Sequence, residues 1–365
     1  MKKSLIALLL LLPIAVQGCA AHSELTVAQK AAKLLIVGLD GQSLSPTNPI
    51  IEDITEKGVS GVILFGRNVA TTQTTTKPRE QFAKFVADLK ALREEPLLVS
   101  IDQEGGLVNR LKPVSGFKDM PSHKSVGEYE NLDQVRKAAA LIASEVASVG
   151  INFNFAPCID VDINPESPAI GHFGRSFSSD EERVAECATI YVEEHHNQGV
   201  LTSLKHFPGH GSALVDSHLG LTDISNTWQE RELHPYISLM ESNLCDAVMV
   251  SHLYNKNFDA DYPATLSYKT LQGVLREQLG WQGVVVSDDM QMKAITEHYG
   301  FDEAITLGLN AGVDLFIIGG NIKREDYDVV DRFISIIESG IASGAITMER
   351  LDQAVTRVEK LKAKL

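Results

Sequence analysis

The chain has 365 residues, of which 44% are hydrophobic and 22% charged, and its formal net charge is -15. This acidic balance argues against a nucleic-acid-binding protein and against a basic face that would bind an anionic membrane. Single domains of this length are unusual except among α/β barrels and large β-sandwiches, so composition leaves a large globular domain as the expectation.

The amino-terminal residues have the pattern of a secretory signal. Two lysines precede an apolar run over residues 5–16, which is too short to span a membrane, and small residues follow it. The segment Val16–Cys19 resembles a bacterial lipobox, in which cleavage before Cys19 leaves that cysteine lipidated. We expect residues 1–18 to be a lipoprotein signal and residues 19–365 to be one domain that reaches the membrane only through this lipid anchor. An ordinary signal peptide with a chance cysteine is the alternative.

Eight short apolar runs, each followed by turn residues and then a helical pattern, predict strands that are buried on both faces. The runs are Leu34–Gly38, Val59–Phe65, Leu97–Asp102, Ile151–Pro157, Leu201–His206, Ala247–His252, Val284–Asp288 and Asp314–Gly319. Eight strand–helix units without a linker predict an α/β fold, a (β/α)8 TIM-type barrel. A doubly wound sheet is the alternative, but such a sheet has no reason to stop at eight units.

Helix boundaries between these runs are marked by capping residues and by proline and glycine. Helix starts are predicted at Pro78, Asp180, Ser267 and Thr347, and helix ends at Gly199 and Gly280. His195 and His196 lie near the end of one predicted helix, where we expect them to be solvated and to interact with the helix dipole.

Three cysteines follow Cys19 in the chain: Cys158, Cys187 and Cys245. They show no paired spacing and no C-x-x-C motif. We interpret them as buried small hydrophobic residues, because neither a disulfide framework nor a zinc site has this pattern.

Ionisable residues follow several of the predicted strands. They are Asp102, Asp160, Asp162, Lys205, His206, His252, Asp288 and Asp289. A helix cap or a salt bridge is the simpler interpretation of any one of them. However, active sites of such barrels lie at the carboxyl ends of the strands, and a carboxylate at a buried strand end is costly to desolvate without a partner or a task. Their convergence therefore predicts one active site at that end.

The densest part of this pattern is Lys205–Gly211, followed by Asp216 and His218. A carboxylate close to an imidazole orients it and favours its charged form, which makes His218 a competent proton donor near neutral pH. An aspartate nucleophile such as Asp288, together with a separate proton donor, is the minimal set for retaining glycoside hydrolysis. These residues alone favour covalent hydrolysis but do not identify a sugar substrate.

The same histidines allow a metal site as a further alternative. His206, His210 and His218 are close in sequence, but Pro208 and Gly209 prevent them from sharing a helical face, and the chain has no H-E-x-x-H motif. We therefore expect no metal and no cofactor.

Six motifs together resemble family 3 glycoside hydrolases, and more narrowly their single-domain β-N-acetylhexosaminidase branch. They are Ile101–Gly106, Asn154–Pro157, Gly174–Phe177, Lys205–Gly211, Asp216–His218 and Ser287–Met290. The D-S-H motif resembles the acid/base dyad of this branch. The resemblance covers nearly the whole mature chain and implies a catalytic barrel that removes terminal β-linked N-acetylglucosamine from peptidoglycan fragments or chitooligosaccharides.

The resemblance also implies a role for each matching residue. Asp288 is the expected nucleophile and His218 the expected acid/base, with Asp216 orienting His218. Residues expected to hold the terminal sugar are Asp102, Arg110, Arg175, Lys205 and His206. Strand alternation points Asp289 away from its neighbour, so we expect it to be structural. Two departures from the family pattern are Leu107, where arginine is common, and a longer segment before Arg175.

Two further functions remain open from the sequence. A β-N-acetylglucosaminide phosphorylase is one, because a histidine donor does not repel an incoming phosphate as a carboxylate would. A lipid-anchored carbohydrate-binding protein without turnover is the other. In each case the partner is a glycan that contains N-acetylglucosamine, and a monomer is the default. Ala20 after the lipobox cysteine resembles the sorting pattern for the outer membrane of the bacterial envelope.

Overall fold

Eight parallel strands close into a barrel in the computed structural model, which describes residues 25–216, 220–320 and 329–365. The strands are β1 Leu35–Gly38, β2 Gly61–Leu64, β3 Leu98–Ile101, β4 Phe153–Asn154, β5 Leu201–Phe207, β6 Ala247–Val250, β7 Val284–Asp289 and β8 Leu315–Ile318. Each strand pairs with the next along the chain, and β8 pairs with β1. The predicted (β/α)8 barrel is confirmed. Six strands lie within their predicted runs, and β5 and β7 each extend one residue beyond theirs, to Phe207 and Asp289.

Helices form the layer around this barrel. The α-helices are Val27–Ala32, Ile50–Glu52, Pro78–Lys90, His123–Gly127, Leu132–Ala147, Glu181–His196, His234–Glu241, Lys293–Thr296, Phe301–Ala311, Val329–Ser343 and Met348–Lys362. Two π-helices span Asp53–Lys57 and Lys269–Gln278, and 3-10 turns span Gly66–Asn68, Pro113–Ser115, Glu230–Leu233 and Ala264–Leu266. A separate two-stranded sheet pairs Thr222–Asp223 with Leu253–Tyr254.

Capping interactions explain why the helices begin where the sequence predicts. The Asp180 carboxylate accepts a hydrogen bond from the Glu182 backbone N–H at 3.1 Å, and the Thr347 hydroxyl accepts one from Arg350 at 3.2 Å. Each satisfies a backbone donor that a helix terminus would otherwise leave unpaired. The predicted helix starts at these caps and at Pro78 are confirmed.

The prediction that His195 is solvated is wrong, whereas the His196 side chain is 32% exposed. His195 is fully buried, with Nδ1 2.8 Å from the Tyr191 carbonyl oxygen and Nε2 3.1 Å from Asn154 Nδ2. Burial lowers the pKa of His195 to about 4, so the ring is neutral at physiological pH. His196 Nε2 lies 2.6 Å from Asp246 Oδ2. In the last turn of this helix, His195 therefore packs against the barrel while His196 remains partly exposed.

The three described cysteines are buried and unpaired, as predicted. Residues 1–18 and Cys19 lie outside the described residues, and so does His218. Among the residues that are described, no helix combines the length and apolar character that a membrane span requires.

Four ionic side chains at the amino ends of the strands form what we call the amino-end cluster: Asp314, Arg276, Arg350 and Arg357. Asp314 is fully buried directly before β8. One of its carboxylate oxygens lies 2.9 Å from Arg350 Nη2 and 3.1 Å from Arg357 Nη1, and the other lies 2.8 Å from Arg276 Nη2. The second oxygen also accepts a hydrogen bond from the Val285 backbone at 3.0 Å. Every lone pair of this carboxylate is thus used inside the protein.

Candidate active site

A cavity of about 390 Å³ opens at the carboxyl ends of the barrel strands. Its walls contain each described residue to which the family resemblance gives a role: Asp102, Arg110, Arg175, Lys205, His206, Asp216 and Asp288. Asp160, Asp162 and His252, which were expected at the same strand ends, do not line this cavity. The lining residues come from different strand ends or the loops after them, so the closed barrel is what brings them together. His218, which lies outside the described residues, follows Asp216 by two positions.

Lys205 is the buried cation at the base of this cavity. Its Nζ lies 2.8 Å from Asp102 Oδ1 and 2.8 Å from Glu104 Oε1, and its side chain is only 2% exposed. Burial alone would lower the pKa of Lys205, but the charges of Asp102 and Glu104 outweigh it and raise the pKa. Lys205 therefore stays charged and holds Asp102 at the cavity surface.

Glu104 is a site residue that the sequence did not single out. Its two carboxylate oxygens accept hydrogen bonds from Arg175 Nη2 at 2.8 Å and Arg175 Nε at 2.9 Å, which is the bidentate geometry of strong arginine–carboxylate pairs. Burial would raise the pKa of Glu104, but Arg175 and Lys205 hold it well below its usual range. The only sequence signal was its place in the Ile101–Gly106 motif after β3. The sequence of this motif does not show whether Asp102 or Glu104 faces inward.

We call Asp102, Glu104, Arg175 and Lys205 the active-site cluster. The longer segment before Arg175 does not displace this arginine, since its guanidinium reaches Glu104 at the base of the cavity. Arg110 Nη2 approaches the cluster from the cavity wall and lies 3.8 Å from Asp102 Oδ2. The result is a set of charged groups with fixed directions, of which Asp102 and Arg110 keep partly exposed side chains.

His206 belongs to a hydrogen-bonded chain below the active-site cluster. Its Nδ1 lies 2.7 Å from Asp160 Oδ2, and its Nε2 lies 3.0 Å from Arg175 Nη2. A guanidinium can only donate, so Nε2 accepts and the ring proton on Nδ1 is donated to Asp160. Although burial opposes ionisation of Asp160, its contact with His206 lowers the pKa of Asp160 below its usual range. This chain fixes the orientation and tautomer of His206.

Cys158, Asp160 and His206 form a buried group whose ligand atoms lie within 4.8 Å of one another. The Cys158 thiol donates to Asp160 Oδ2 at 3.0 Å, and that oxygen also accepts from His206. Burial raises the pKa of the Cys158 thiol well above its usual value, which opposes the thiolate that a metal would need. The donor set thus fits a hydrogen-bonded triad better than a metal centre.

Asp288 and Asp289 end strand β7 and line the cavity. The Asp289 backbone N–H donates to Asp288 Oδ1 at 2.8 Å, which fixes the direction of that carboxylate. Asp289 in turn accepts hydrogen bonds from the backbones of Gln291 at 3.1 Å and Gly319 at 3.2 Å, so it ties β7 to the end of β8. Burial raises the pKa of Asp289 to about 6.

The loop after β5 carries Asp216 to the cavity, and contacts with Asp160 and Glu232 fix the first residues of this loop. Gly209 has a φ of 122°, and a Cβ there would lie 2.7 Å from the Glu232 Cβ, so only glycine fits. The His210 backbone donates to Asp160 at 2.7 Å. Glu232 is fully buried, and burial raises its pKa to about 7. Glu232 was also not identified from the sequence, because its helix position gives no sign of facing this loop.

Comparisons with known proteins extend the geometric evidence. The glycosyl hydrolase family 3 N-terminal domain matches residues 26–361. The chain is 33% identical over 311 residues to the beta-hexosaminidase of Idiomarina loihiensis, covering 83% of this chain and 89% of that protein. It is 30% identical over 331 residues to beta-hexosaminidase A of Pseudoalteromonas piscicida, covering 86% of this chain but only 55% of that relative's length.

A solved structure shares the barrel. It is a glycoside hydrolase family 3 beta-N-acetylglucosaminidase from Paenibacillus sp. FPU-7, with a TM-score of 0.83 and 35% sequence identity. The match covers 93% of this chain and 62% of that one, so the Paenibacillus protein has a large part with no counterpart here.

Proposed function

Since the chain belongs to glycosyl hydrolase family 3, we propose that it is a retaining β-N-acetylhexosaminidase. In this proposal the enzyme removes terminal β-linked N-acetylglucosamine from peptidoglycan fragments or chitooligosaccharides. The observation that carries it is the meeting of seven predicted site residues in one cavity of about 390 Å³, a volume in the range of small-ligand sites. The names of the relatives above support a hexosaminide as the substrate.

The proposed first step uses Asp288 and His218. One Asp288 oxygen attacks the anomeric carbon as the glycosidic bond breaks, and His218 gives its proton to the departing oxygen. The hydrogen bond from the Asp289 backbone to Asp288 Oδ1 supports this role, because it holds the nucleophile in one direction. Asp216 lines the same cavity and, in the proposal, orients His218 and stabilises its charged form.

The proposed second step releases the sugar. Water attacks the anomeric carbon of the glycosyl-enzyme, and His218 takes a proton from that water and regains its charged form. The bond to Asp288 breaks, which returns the carboxylate and leaves the anomeric configuration as it was in the substrate. The sugar hydroxyls and the N-acetyl group are bound during both steps by Asp102, Arg110, Arg175, Lys205 and His206, since charged groups with fixed directions position the reacting carbon.

The pairing of charges favours water over phosphate in the second step. Each cation of the described cavity wall lies within 4 Å of a carboxylate: Arg110 and Lys205 of Asp102, Arg175 of Glu104, and Lys293 of Glu297. These carboxylates neutralise the cations that an incoming phosphate would need. We therefore place hydrolysis ahead of phosphorolysis.

One experiment separates these functions. The purified chain is mixed with an aryl N-acetyl-β-glucosaminide, with and without phosphate, and the first product is followed by proton NMR. We expect the free β-anomer of N-acetylglucosamine in both mixtures. A sugar phosphate that forms only with phosphate would identify a phosphorylase, and an α-anomer as first product would contradict retention. Binding of oligosaccharides without any product would identify a carbohydrate-binding protein.

We also propose that the mature enzyme begins at a lipidated Cys19 in the outer membrane of the bacterial envelope. The supporting pattern is the short apolar run followed by Val16–Cys19. Expression of the full chain and of the Cys19→Ser variant in a Gram-negative host tests this. We expect the full chain in the outer-membrane fraction and the variant outside it, whereas equal partition of both forms would contradict the anchor.

A further inference from the structure

One wall of the cavity mouth is apolar, unlike its charged base. Phe173 lines the cavity and is 38% exposed, whereas the side chain of Lys205 at the base is only 2% exposed. Val108 lines the same cavity, and its neighbour Leu107 is 67% exposed. We call Val108 and Phe173 the apolar rim. Apolar and aromatic side chains that line a cavity provide the contact area by which such sites bind small ligands.

The loops that carry the rim adjoin one another. A Cβ on Gly106 would lie 2.6 Å from the Ser122 Cβ, and a Cβ on Gly174 would lie 3.6 Å from the Ser122 hydroxyl. Gly106 comes two residues before Val108, and Gly174 directly follows Phe173. Both loops therefore lie against Ser122, so the backbone segments that carry Val108 and Phe173 are neighbours, and both side chains line the cavity.

The backbone around Phe173 is held by hydrogen bonds. The His172 N–H donates to the Ser167 carbonyl at 3.0 Å, and the Gly174 N–H donates to the Gly171 carbonyl at 3.0 Å. The Arg175 N–H donates to the Ile170 carbonyl at 3.1 Å. The His172 ring packs edge-on against Phe173, with ring centroids 5.3 Å apart. The ring of Phe173 is thus presented by a fixed turn that leads into the buried Arg175.

The active-site cluster and the apolar rim lie at different depths in the cavity, and this difference separates two subsites. The active-site cluster is buried and charged, so it suits the hydroxyl and acetamido groups of one terminal sugar. Any group attached to that sugar must pass through the mouth, where the rim lies. A pyranose has an apolar face of C–H groups, and a flat aromatic ring provides a matching surface at low conformational cost.

On the basis of the proposed function, we infer that the apolar rim is an aglycone subsite in which Phe173 stacks on a second hexosamine ring. The substrate class is then a β-linked amino-sugar oligosaccharide, and a glycoside with a small aglycone loses this contact. Two sources supply such a ring: a chitooligosaccharide and a peptidoglycan disaccharide with muramic acid in the second position.

The test compares aglycones of different size on Phe173→Ala. The substrates are N-acetyl-β-glucosaminyl fluoride, diacetylchitobiose and the disaccharide of N-acetylglucosamine with N-acetylmuramic acid. We expect kcat/KM of the variant to fall by about tenfold on a disaccharide that uses the subsite, and to stay unchanged on the fluoride, which has one atom in place of the second ring. If kcat/KM falls on chitobiose alone, the subsite binds the neutral ring of a chitooligosaccharide. If it falls on the muramic acid disaccharide alone, the subsite binds the peptidoglycan ring. If it falls on both, the subsite recognises the hexosamine ring that the two substrates share.

Three controls make the result specific. Phe173→Trp keeps an aromatic face, so we expect it to retain activity on the disaccharides. Tyr268→Ala removes another exposed aromatic residue, which is 64% exposed and lies outside the cavity wall, and we expect no change on any substrate. In an Asp288→Asn background, Phe173→Ala raises the Kd for chitotriose about tenfold but leaves the Kd for N-acetylglucosamine unchanged.

Two outcomes overturn the subsite while the proposed function survives. One is an equal loss on the fluoride and the disaccharides, which would place Phe173 with the terminal sugar. The other is full activity of Phe173→Ala on both disaccharides. A wild-type enzyme that cleaves neither the fluoride nor a disaccharide would instead contradict the proposed function itself.

Discussion

The amino-end cluster and the active-site cluster lie at opposite ends of the barrel, and they use their carboxylates differently. In the amino-end cluster, three arginines and a backbone N–H occupy both oxygens of Asp314. In the active-site cluster, Lys205 bridges Asp102 and Glu104, and Asp102 still lines a cavity with a 19% exposed side chain. Both clusters hold buried charge, but of these two only the active-site cluster has charged groups that line a cavity.

This difference shows that buried ion pairs by themselves do not mark a function. A closed cluster holds secondary structure elements together, and removal of one partner leaves an uncompensated charge. The open active-site cluster has the same desolvation cost of buried charge, but it also directs a carboxylate and cations into a cavity large enough for a substrate. In such barrels the amino end serves stability and the carboxyl end serves catalysis, as these two clusters illustrate.

The largest expected effect comes from the nucleophile at the open end. Asp288→Asn keeps the size of the side chain but removes its charge, so we expect kcat on an aryl N-acetyl-β-glucosaminide to fall by roughly 10⁴-fold. The melting temperature should stay close to that of the wild type, because the side chain is partly exposed at the cavity. Retention of wild-type kcat would show that another residue forms the covalent bond.

Glu104→Gln tests whether the open cluster also carries stability. The variant loses the charge that pairs with Arg175 and Lys205, so we expect about 4 kcal/mol less stability and roughly 100-fold lower kcat/KM, because both cations shift. Denaturant unfolding and steady-state kinetics on one preparation measure both. A variant with lower stability and unchanged kcat/KM would show that Glu104 stabilises the fold but does not contribute to catalysis.

Asp314→Asn is the matched change in the closed cluster. We expect about 4 kcal/mol less stability, because Arg276, Arg350 and Arg357 lose their common partner in a buried place. Turnover per folded molecule should stay at the wild-type value, since this carboxylate lies at the opposite end of the barrel from the cavity. A loss of kcat at a temperature where the variant is fully folded would contradict the separation of the two ends.

Glu232 gives the smallest expected effect and a pH dependence. Its pKa is about 7 in the folded protein against 4.5 as the ordinary value, so the folded state binds the proton more tightly. Stability therefore falls as pH rises from about 4.5 to about 7, by about 3 kcal/mol in total. Glu232→Gln removes this dependence, so its advantage over the wild type in unfolding free energy should grow with pH across this window.

The control for this prediction is Glu230→Gln, which changes an exposed glutamate in the same turn. It should leave the pH profile of stability as in the wild type. If Glu232→Gln shows the wild-type profile as well, the pKa of Glu232 is not raised in the folded protein.

The sequence predicted the barrel and the site residues because both depend on strand ends. Apolar runs located all eight strands, and a closed parallel barrel necessarily gathers the residues at the carboxyl ends of its strands, so Asp102, Lys205 and Asp288 had to meet. Glu104 and Glu232 could not be found in this way. Their importance depends on which turn or helix face packs inward, and that is decided by contacts between segments far apart in the chain.

The buried position of His195 was missed for the same reason. Its helix has small and branched apolar residues on more than one face, and the packing of its last turn against β4 is decided by Tyr191 and Asn154. Periodicity identified the helix and its cap at Asp180, but it did not determine how the helix was rotated about its own axis at that end.

The most direct test of the account is to trap the covalent intermediate. The full enzyme is incubated with a 5-fluoro derivative of N-acetylglucosaminyl fluoride, which forms the glycosyl-enzyme faster than water releases it, and is then digested for peptide mass spectrometry. We predict one added sugar on Asp288 and no adduct with Asp288→Asn. An adduct on any other residue of the wild type would contradict the proposed mechanism.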